Sequence, residues 1–348
     1  MYTYGDAMKR FFAIVLFGMA FWIQAQDCQA LNIDPKQTSV SGVSSGAYMA
    51  GQLAVAHSAT FMGLGLIAGG PYYCAQSSLL RAMTFCMDYL HSKIDVSELV
   101  TSAKNFETSK IIDSLANFKR MRIYAFSGSN DRVVPQDLVA SNFDFFKSLG
   151  VSPDQFKFDS DTAAGHAFPT LDYGNECSAP REAPFISKCG VDGALQILTQ
   201  IYGSLKAKTT AKDENFFEVT QATSSMPIPK AFSLADYATL YVPTQCQVGG
   251  KCKLHVALHG CRQTKEDIGD QFIKHTGYAE WAETNDIIVL FPQAIRNDDL
   301  GNPRGCWDWW GYSSSFYATK EGPQIKMIYE LVQSIGQGKS LILSHFKN

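Results

Sequence analysis

Three residues of this sequence have the types and the chain order of a serine hydrolase catalytic triad. Ser44 lies in "GVSSG", residues 42–46, which matches the G-x-S-x-G pattern of a serine on a sharp strand-to-helix turn. Asp131 lies in "SGSNDRVVP" and His166 in "AGHAFP". A serine hydroxyl becomes an effective nucleophile when an imidazole accepts its proton, and a carboxylate orients that imidazole and stabilises its cation. We therefore predict Ser44 as nucleophile, His166 as base and Asp131 as the acid that orients it.

Each of these residues also has an ordinary structural explanation. A G-x-S-x-G match alone is weak, an aspartate after a strand is usually a turn former, and a loop histidine is usually only solvated. The combination favours the triad, because the order Ser, Asp, His is that of α/β-hydrolases and each residue follows a predicted strand. Five other histidines are weaker candidates for the base: His57, His91, His255, His275 and His345.

An oxyanion needs backbone N–H donors, and one of them is normally supplied by a chain segment that this sequence lacks before Ser44. One donor is expected from Ser45, and in α/β-hydrolases the other comes from an H-G loop after a strand that precedes the serine. Almost no chain precedes Ser44, but "LHVALHGCRQ", residues 254–263, is a strand followed by such a loop. We therefore predict a circularly permuted α/β-hydrolase, in which strands after about residue 210 complete the sheet. The alternative is a plain turn with a structural histidine.

The rest of the chain alternates strands and helices, and this pattern predicts the sheet that positions these residues. It favours an α/β fold with a mostly parallel central sheet and helices on both faces, whose site forms at the carboxyl ends of the strands. The predicted strands are 37–43, 62–70, 123–126, 156–161, 216–221, 238–243, 253–260 and 286–294. The predicted helices are 45–58, most of 78–118, 193–205, 265–285 and 321–336.

The amino-terminal residues indicate export. Lys9 and Arg10 precede an apolar run over 11–23, and a small residue, Ala25, follows, which is typical of a signal peptide. A membrane anchor is the alternative, although a span needs about 20 apolar residues. We expect a signal peptide over 1–26, no stable membrane insertion after its cleavage, and a single secreted or periplasmic catalytic domain over 27–348.

The composition excludes several functions. The formal net charge is −3 and no basic run is present, so we expect no nucleic-acid partner. We also expect a monomer that needs no cofactor and no metal. No charged pocket is evident, which argues against peptides and phosphorylated substrates.

Cysteine usage agrees with an oxidising compartment. Nine cysteines are present and none forms a C-x-x-C pair, so zinc and thioredoxin-like sites are disfavoured. Connectivity cannot be deduced from sequence alone, one thiol is left over, and Cys28 has no evident partner. Three close spacings nevertheless look like local loop disulfides: Cys74 with Cys86, Cys177 with Cys189, and Cys246 with Cys252.

Four segments together resemble a known family. "GVSSGAYMA", "CKLHVALHGC", "YAEWAETNDIIVLFPQA" and "NPRGCWDWWGY" are similar to the circularly permuted poly(3-hydroxybutyrate) depolymerases, which are secreted polyester hydrolases. The resemblance runs from about Ser39 to the final helix, but residues 70–115 cannot be placed against the family and leave the cleft wall undefined. It implies a serine esterase that cuts this polyester or its oligomers through an acyl-enzyme. It further implies that the Cys261 N–H completes the oxyanion hole and that Cys261 is disulfide-bonded, with Cys306 as candidate partner.

The segment "CWDWWGY" holds three tryptophans that could contact such a substrate. Trp307, Trp309 and Trp310 offer flat apolar surfaces with one N–H donor each, which suits an aliphatic ester chain. We predict substrate binding by all three, and by Trp307 first, because a bond between Cys261 and Cys306 would hold it near the oxyanion hole. Packing in the core is the alternative for each.

Two other functions remain open at this stage. Feruloyl or acetyl-xylan esterases share an HGC loop, so a carbohydrate ester is the alternative substrate. A non-enzymatic binding protein on a hydrolase scaffold is the third possibility, and the intact triad weighs against it.

Overall fold

The computed structural model describes residues 31–87, 93–179, 181–337 and 343–345. The predicted signal peptide over 1–26, Cys28 and His91 lie outside these ranges. Within them, no helix has both the length and the apolar character that crossing a bilayer would require.

The described residues form twelve strands and ten α-helices. The strands, β1 to β12, are Ile33–Val43, Phe61–Ile67, Arg122–Phe126, Phe156–Asp159, Phe168–Thr170, Asn175–Glu176, Ile186–Lys188, Phe216–Thr220, Tyr237–Tyr241, Cys252–Leu258, Ile287–Phe291 and Leu343–His345. The helices, α1 to α10, are Ser45–Ala56, Leu79–Phe85, Val96–Thr108, Gln136–Ser148, Gly193–Tyr202, Thr244–Gln247, Lys265–Ile268, Gln271–His275, Tyr278–Asn285 and Pro323–Gly336.

Nine of the described strands make one sheet, in the order β12-β8-β9-β11-β10-β1-β2-β3-β4. The six from β11 to β4 run parallel, and β9, β8 and β12 continue the sheet with antiparallel pairs. Strand β1 lies between β2 and β10. The prediction of a mostly parallel sheet completed by strands after about residue 210 is confirmed. The circular permutation follows, because β10, whose H-G loop lies against Ser44, comes after β1 in the chain, whereas in α/β-hydrolases this strand precedes the serine.

Two apolar cores cover the two faces of this sheet. Residues of α1, α3, α4 and α10 belong to one core, and residues of α5, α8 and α9 belong to the other. All twelve residues of α1 are buried. Burial on both faces is typical of parallel strands, and it explains why β2 and β11 are continuous apolar runs rather than alternating ones.

The structure differs from the sequence predictions in three places. The helix predicted over 265–285 is three helices, α7 to α9, because Gly269 and Gly277 take positive φ angles of 61° and 87°. The predicted helical stretch over 78–118 contains α2, α3 and a 3₁₀ turn at Leu115–Arg120. A small second sheet, with strand order β5-β7-β6, was not predicted, because its strands are only two or three residues long and carry no measurable periodicity.

Candidate active site

Ser44 lies on a strained turn between β1 and α1. Its φ and ψ are 55° and −122°, an unfavourable combination for a residue with a side chain. A Cβ on Gly42 would lie 2.2 Å from the Gly46 carbonyl oxygen, and a Cβ on Gly46 would lie 2.3 Å from the His259 carbonyl oxygen. Both glycines of the pattern are therefore required by close backbone approach.

The structure brings Ser44, His166 and Asp131 into one hydrogen-bonded chain. Asp131 follows β3 and His166 follows β4, so both lie at the same edge of the sheet as Ser44. The Asp131 Oδ2 to His166 Nδ1 distance is 2.8 Å, and the His166 Nε2 to Ser44 Oγ distance is 2.9 Å. Because the carboxylate accepts from Nδ1, Nε2 is left to accept the serine proton.

The Asp131 carboxylate is itself fixed by the turn that follows it. Its Oδ1 accepts hydrogen bonds from the N–H groups of Val133 and Val134, at 2.8 and 3.0 Å. Asp131 is 5% exposed and His166 is 7% exposed. One carboxylate oxygen thus anchors the loop while the other orients the imidazole.

A second serine–histidine contact in this chain has a different character. His255 on β10 lies between Ser39 and Ser41 of β1, with each of its ring nitrogens 2.7 Å from a serine Oγ. Burial lowers the pKa of His255 to about 3, and no carboxylate of the described residues contacts its ring. This cluster lies inside the sheet and not at the cavity, so it is a packing contact rather than a second reactive pair.

The loop after β10 lies directly against the elbow. A Cβ on Gly260 would be 3.2 Å from the Ser44 Cβ, and the Gly260 N–H donates to Gln263 Oε1 at 2.7 Å. His259 is buried, and its Nδ1 lies 2.8 Å from the Gly260 carbonyl oxygen, whereas its Nε2 accepts the Ala294 N–H at 3.1 Å. Burial lowers the pKa of His259 to about 4. A neutral imidazole that donates through Nδ1 therefore stiffens this loop.

A disulfide joins this loop to the tryptophan-rich segment. Cys261 and Cys306 are bonded, with their Cα atoms 4.2 Å apart, and the Arg262 N–H donates to the Arg304 carbonyl oxygen at 2.8 Å. Ser45 and Cys261 both line the cavity above Ser44. The convergence of their two N–H groups on one oxyanion stays a prediction.

The other close cysteine pairs are also bonded. The structure joins Cys74 to Cys86, Cys177 to Cys189 and Cys246 to Cys252. In the part of the chain that the structure describes, no group of three or more metal-binding side chains is close enough together to hold a metal ion.

A cavity of about 300 Å³ opens above Ser44 and His166. One wall comes from α2, in the region that the sequence left undefined, and the Cys74–Cys86 disulfide closes the segment that carries this helix. Many of the apolar side chains that line this cavity come from α2 and the residues just after it, from the turn after Asp131 and from the tryptophan segment: Leu79, Ala82, Met83, Met87, Val133, Val134, Trp309 and Trp310. The other apolar lining residues are Val43, Tyr48, Phe185 and Pro303.

The three tryptophans lie in different environments. Trp307 is completely buried, its indole N–H donates to the His259 carbonyl oxygen at 2.9 Å, and it does not line the cavity. This corrects the expectation that Trp307 is the first substrate contact, because its face is covered by protein and its donor is used. Trp309 and Trp310 do line the cavity, and the indole N–H of Trp309 is buried without a protein acceptor.

Asp308 shapes this tryptophan segment and was not identified from the sequence. Its Oδ1 accepts the N–H groups of Gly311 and Tyr312, and its Oδ2 accepts the N–H and the hydroxyl of Ser313, at 2.6 to 3.0 Å. Burial raises the pKa of Asp308. The turn that it forms presents Trp309, which stacks on Tyr48 with ring centroids 4.4 Å apart.

The mouth of the cavity is charged, contrary to the expectation from sequence. Arg181, Arg262 and Arg304 line it, and none of the cavity-lining residues is an aspartate or a glutamate. Sequence patterns gave no signal for this cluster, because the three arginines are far apart in the chain.

Comparison with known proteins identifies similar chains. The sequence matches no family model. It is 40% identical over 331 residues to a poly(3-hydroxybutyrate) depolymerase of Delftia acidovorans, a match that covers 94% of this chain and 65% of that protein. The chain thus spans less than two thirds of that relative. It is 38% identical over 336 residues to a polyhydroxybutyrate depolymerase of Talaromyces funiculosus, covering 91% of this chain and 94% of that one.

Two solved structures share the fold. One is a PHB depolymerase variant complexed with R3HB trimer, with a TM-score of 0.82 and 35% identity, covering 89% of this chain and 99% of the other. The second is the PHB depolymerase from Penicillium funiculosum, with a TM-score of 0.78 and 35% identity, covering 92% and 99%.

Proposed function

Because this chain belongs to the poly(3-hydroxybutyrate) depolymerase family, we propose that it is an exported serine esterase that hydrolyses ester bonds of this polyester or of its oligomers. The observation that carries the proposal is the hydrogen-bonded chain of Ser44, His166 and Asp131 at the floor of an apolar cavity. Residues 1–26 act as the export signal, and the enzyme works as a monomer. Four disulfides support export, because such bonds persist in oxidising compartments.

The reaction proceeds in two halves. His166 Nε2 accepts the proton of Ser44 as Oγ attacks the ester carbonyl carbon, and the imidazolium is stabilised by Asp131. The N–H groups of Ser45 and Cys261 stabilise the tetrahedral oxyanion. Collapse expels the alcohol fragment, which takes its proton from His166, and leaves a hydroxyacyl group on Ser44. Water, deprotonated by His166, then releases the acid.

The cavity wall fits a polyester better than a sugar ester. Most of its side chains above the triad are aliphatic or aromatic, and the polar exceptions are Ser45, Gln263, Asn302 and the arginines at the mouth. A polyester presents only aliphatic carbons and ester groups to them. Trp309 and Trp310 provide the flat apolar surface.

Substrate preference and the Ser44→Ala variant test this proposal together. We expect 3-hydroxybutyrate release from amorphous polymer and no ferulate release from an arabinoxylan ester. Ser44→Ala should lose on the order of 10⁴ to 10⁶ in kcat, as other serine triads do. The matched control is Ser39→Ala, which removes one of the two serines bonded to His255; it should lose stability, but the folded protein should keep its turnover because Ser41 still bonds His255.

A serine-reactive phosphonate gives an independent readout. It should label wild-type protein at Ser44 and should not label the Ser44→Ala variant. Labelling at Ser39, or full activity of Ser44→Ala, would contradict the assignment. Faster release of ferulate than of 3-hydroxybutyrate would instead support a carbohydrate esterase.

A further inference from the structure

Three arginines surround the mouth of the cavity, and nothing in the proposed mechanism uses them. Arg181 comes from the loop before β7, Arg262 from the turn after Cys261, and Arg304 from the segment before Cys306. Each is largely exposed. Three like charges at one opening repel each other, and a bound anion would offset this repulsion. Their grouping therefore suggests a site for an anionic group.

The backbone segments that carry Arg262 and Arg304 are joined to each other. The Arg262 N–H donates to the Arg304 carbonyl oxygen at 2.8 Å, and the disulfide between Cys261 and Cys306 closes the same pair of segments. Arg262 also takes a positive φ of 62°, which is uncommon for a residue with a side chain. The backbone positions from which these two side chains extend are therefore fixed by the loop scaffold.

The three charges are not neutralised by the protein. Among the described residues, no carboxylate forms an ion pair with any of them, and the cavity lining contains no acid. The pKa of Arg304 is lowered, mainly because burial penalises its charge and further because Arg262 and Arg181 repel it. The whole chain has a formal net charge of −3, so this mouth is a positive exception on an acidic protein.

We propose that Arg181, Arg262 and Arg304 bind the ionised carboxylate end of an oligoester whose ester bond lies at Ser44. Guanidinium groups match a carboxylate through paired N–H donors, and the carboxylate is the only charged group on such a substrate. This inference rests on the proposed function and narrows it to short chains with a free acid end.

The chemistry fixes which fragment the arginines hold. When Ser44 attacks an ester of a hydroxyacid chain, the acyl part stays on the serine and the part that ends in the carboxylate leaves as the alcohol. The arginines therefore hold the leaving fragment. We expect the enzyme to cut near the carboxyl end of oligomers, and high product concentrations to inhibit it through the same contact.

A pair of matched substrates tests the inference. The linear 3-hydroxybutyrate trimer with a free carboxylate and its methyl ester differ only at the group that the arginines would bind. We expect wild-type kcat/KM to be higher for the acid, and the acid-to-ester ratio to fall about three- to five-fold in each of Arg181→Gln, Arg262→Gln and Arg304→Gln. The triple variant should lose the preference, and about 0.5 M salt should weaken it, because exposed charges are screened.

The control variant is Arg122→Gln, which removes one exposed positive charge at the opposite end of β3 and should keep the wild-type ratio. Equal use of acid and ester by the wild type, or an unchanged ratio in the triple variant, would overturn the inference. Calorimetric binding of both trimers to the Ser44→Ala protein separates the two proposals. Tighter acid binding that the triple variant loses supports the arginine site even if wild-type protein hydrolyses neither trimer.

Discussion

The contact between α1 and the end of β10 gives the sharpest test of how the elbow and the oxyanion loop are held together. A Cβ at Gly46 would lie 2.3 Å from the His259 carbonyl oxygen and 2.4 Å from that of Leu258. Ordinary contacts begin at 3.4 Å, and both neighbours are backbone atoms. Gly46→Ala must therefore separate α1 from the loop by about 1 Å.

That displacement should affect catalysis more than folding. Overpacking in a core costs about 1–3 kcal/mol of stability, whereas a misplacement of about 1 Å near reacting atoms can cost about 10²-fold in rate. We expect Gly46→Ala to lose about 10²-fold in kcat on a soluble ester, because the Cys261 N–H, which we propose as an oxyanion donor, would be displaced while Ser44, His166 and Asp131 are unchanged in type.

The same helix supplies the control. At Gly51 the nearest atom to a new Cβ is Leu66 Cδ2 at 4.0 Å, so Gly51→Ala has room and should stabilise the helix by up to about 1 kcal/mol. Initial rates and urea unfolding of the two variants would be measured side by side. Wild-type kcat in Gly46→Ala, or an equal loss in Gly51→Ala, would refute the coupling between this contact and the oxyanion hole.

Three further predictions concern the supports of the site. Replacing Cys261 and Cys306 by serine should destabilise the protein by about 4 kcal/mol, the value expected for a loop of this length, and should also lower kcat. Urea unfolding and initial rates would be measured on the same variant, and an unchanged kcat would contradict the role of this disulfide in the active site. Asp308→Asn keeps one acceptor oxygen and replaces the other by an NH2 donor, so the two donors bonded to that oxygen lose their acceptor at about 1–3 kcal/mol each, and its KM for polyester should rise several-fold. Burial lowers the pKa of His57 to about 4, below its ordinary value of about 6.5, so the unfolded chain gains the proton first and stability falls as pH drops from about 6.5 towards 4. Between pH 7 and pH 5, the free energy of unfolding from urea curves should fall by about 2 kcal/mol less in His57→Gln than in the wild type. An equal fall in the two proteins would contradict this prediction.

The reactive residues were predictable because each carries a local signal. Ser44 sits in a five-residue pattern, and Asp131 and His166 each follow a predicted strand, so a shared edge of the sheet could be predicted for all three. The permuted sheet was predictable for the same reason, since "LHVALHGCRQ" reads as a strand and loop wherever it occurs in the chain.

The cavity was harder to predict because its walls come from distant segments. Trp307 and Trp309 are two positions apart in an irregular turn, where no period of 2 or 3.6 tells which side chain faces inward. The turn is set instead by Asp308, whose carboxylate collects three N–H groups and a hydroxyl. The wall from α2 and the arginine cluster likewise depend on long-range packing that one sequence does not display.

The buried cluster around His255 connects the permuted topology to the reaction. Strand β1 meets the strands after residue 210 along β10, where Ser39 is the register partner of His255. Both imidazole nitrogens find a hydroxyl in this register, on Ser39 and Ser41. A slip of one residue would turn the serines to the other face and leave buried polar atoms unpaired, at about 1–3 kcal/mol each.

A slip of two residues would restore the faces but would move the ends of the two strands apart by roughly 6–7 Å, at about 3.3 Å per residue. The elbow serine stands at the end of β1 and the Gly260 loop at the end of β10, and they touch in the observed register. Even the two-residue slip would therefore separate Ser44 from the loop that we propose as the source of the second oxyanion donor. The neutral histidine inside the sheet thus favours the strand pairing in which the Ser44 turn meets the Gly260 loop.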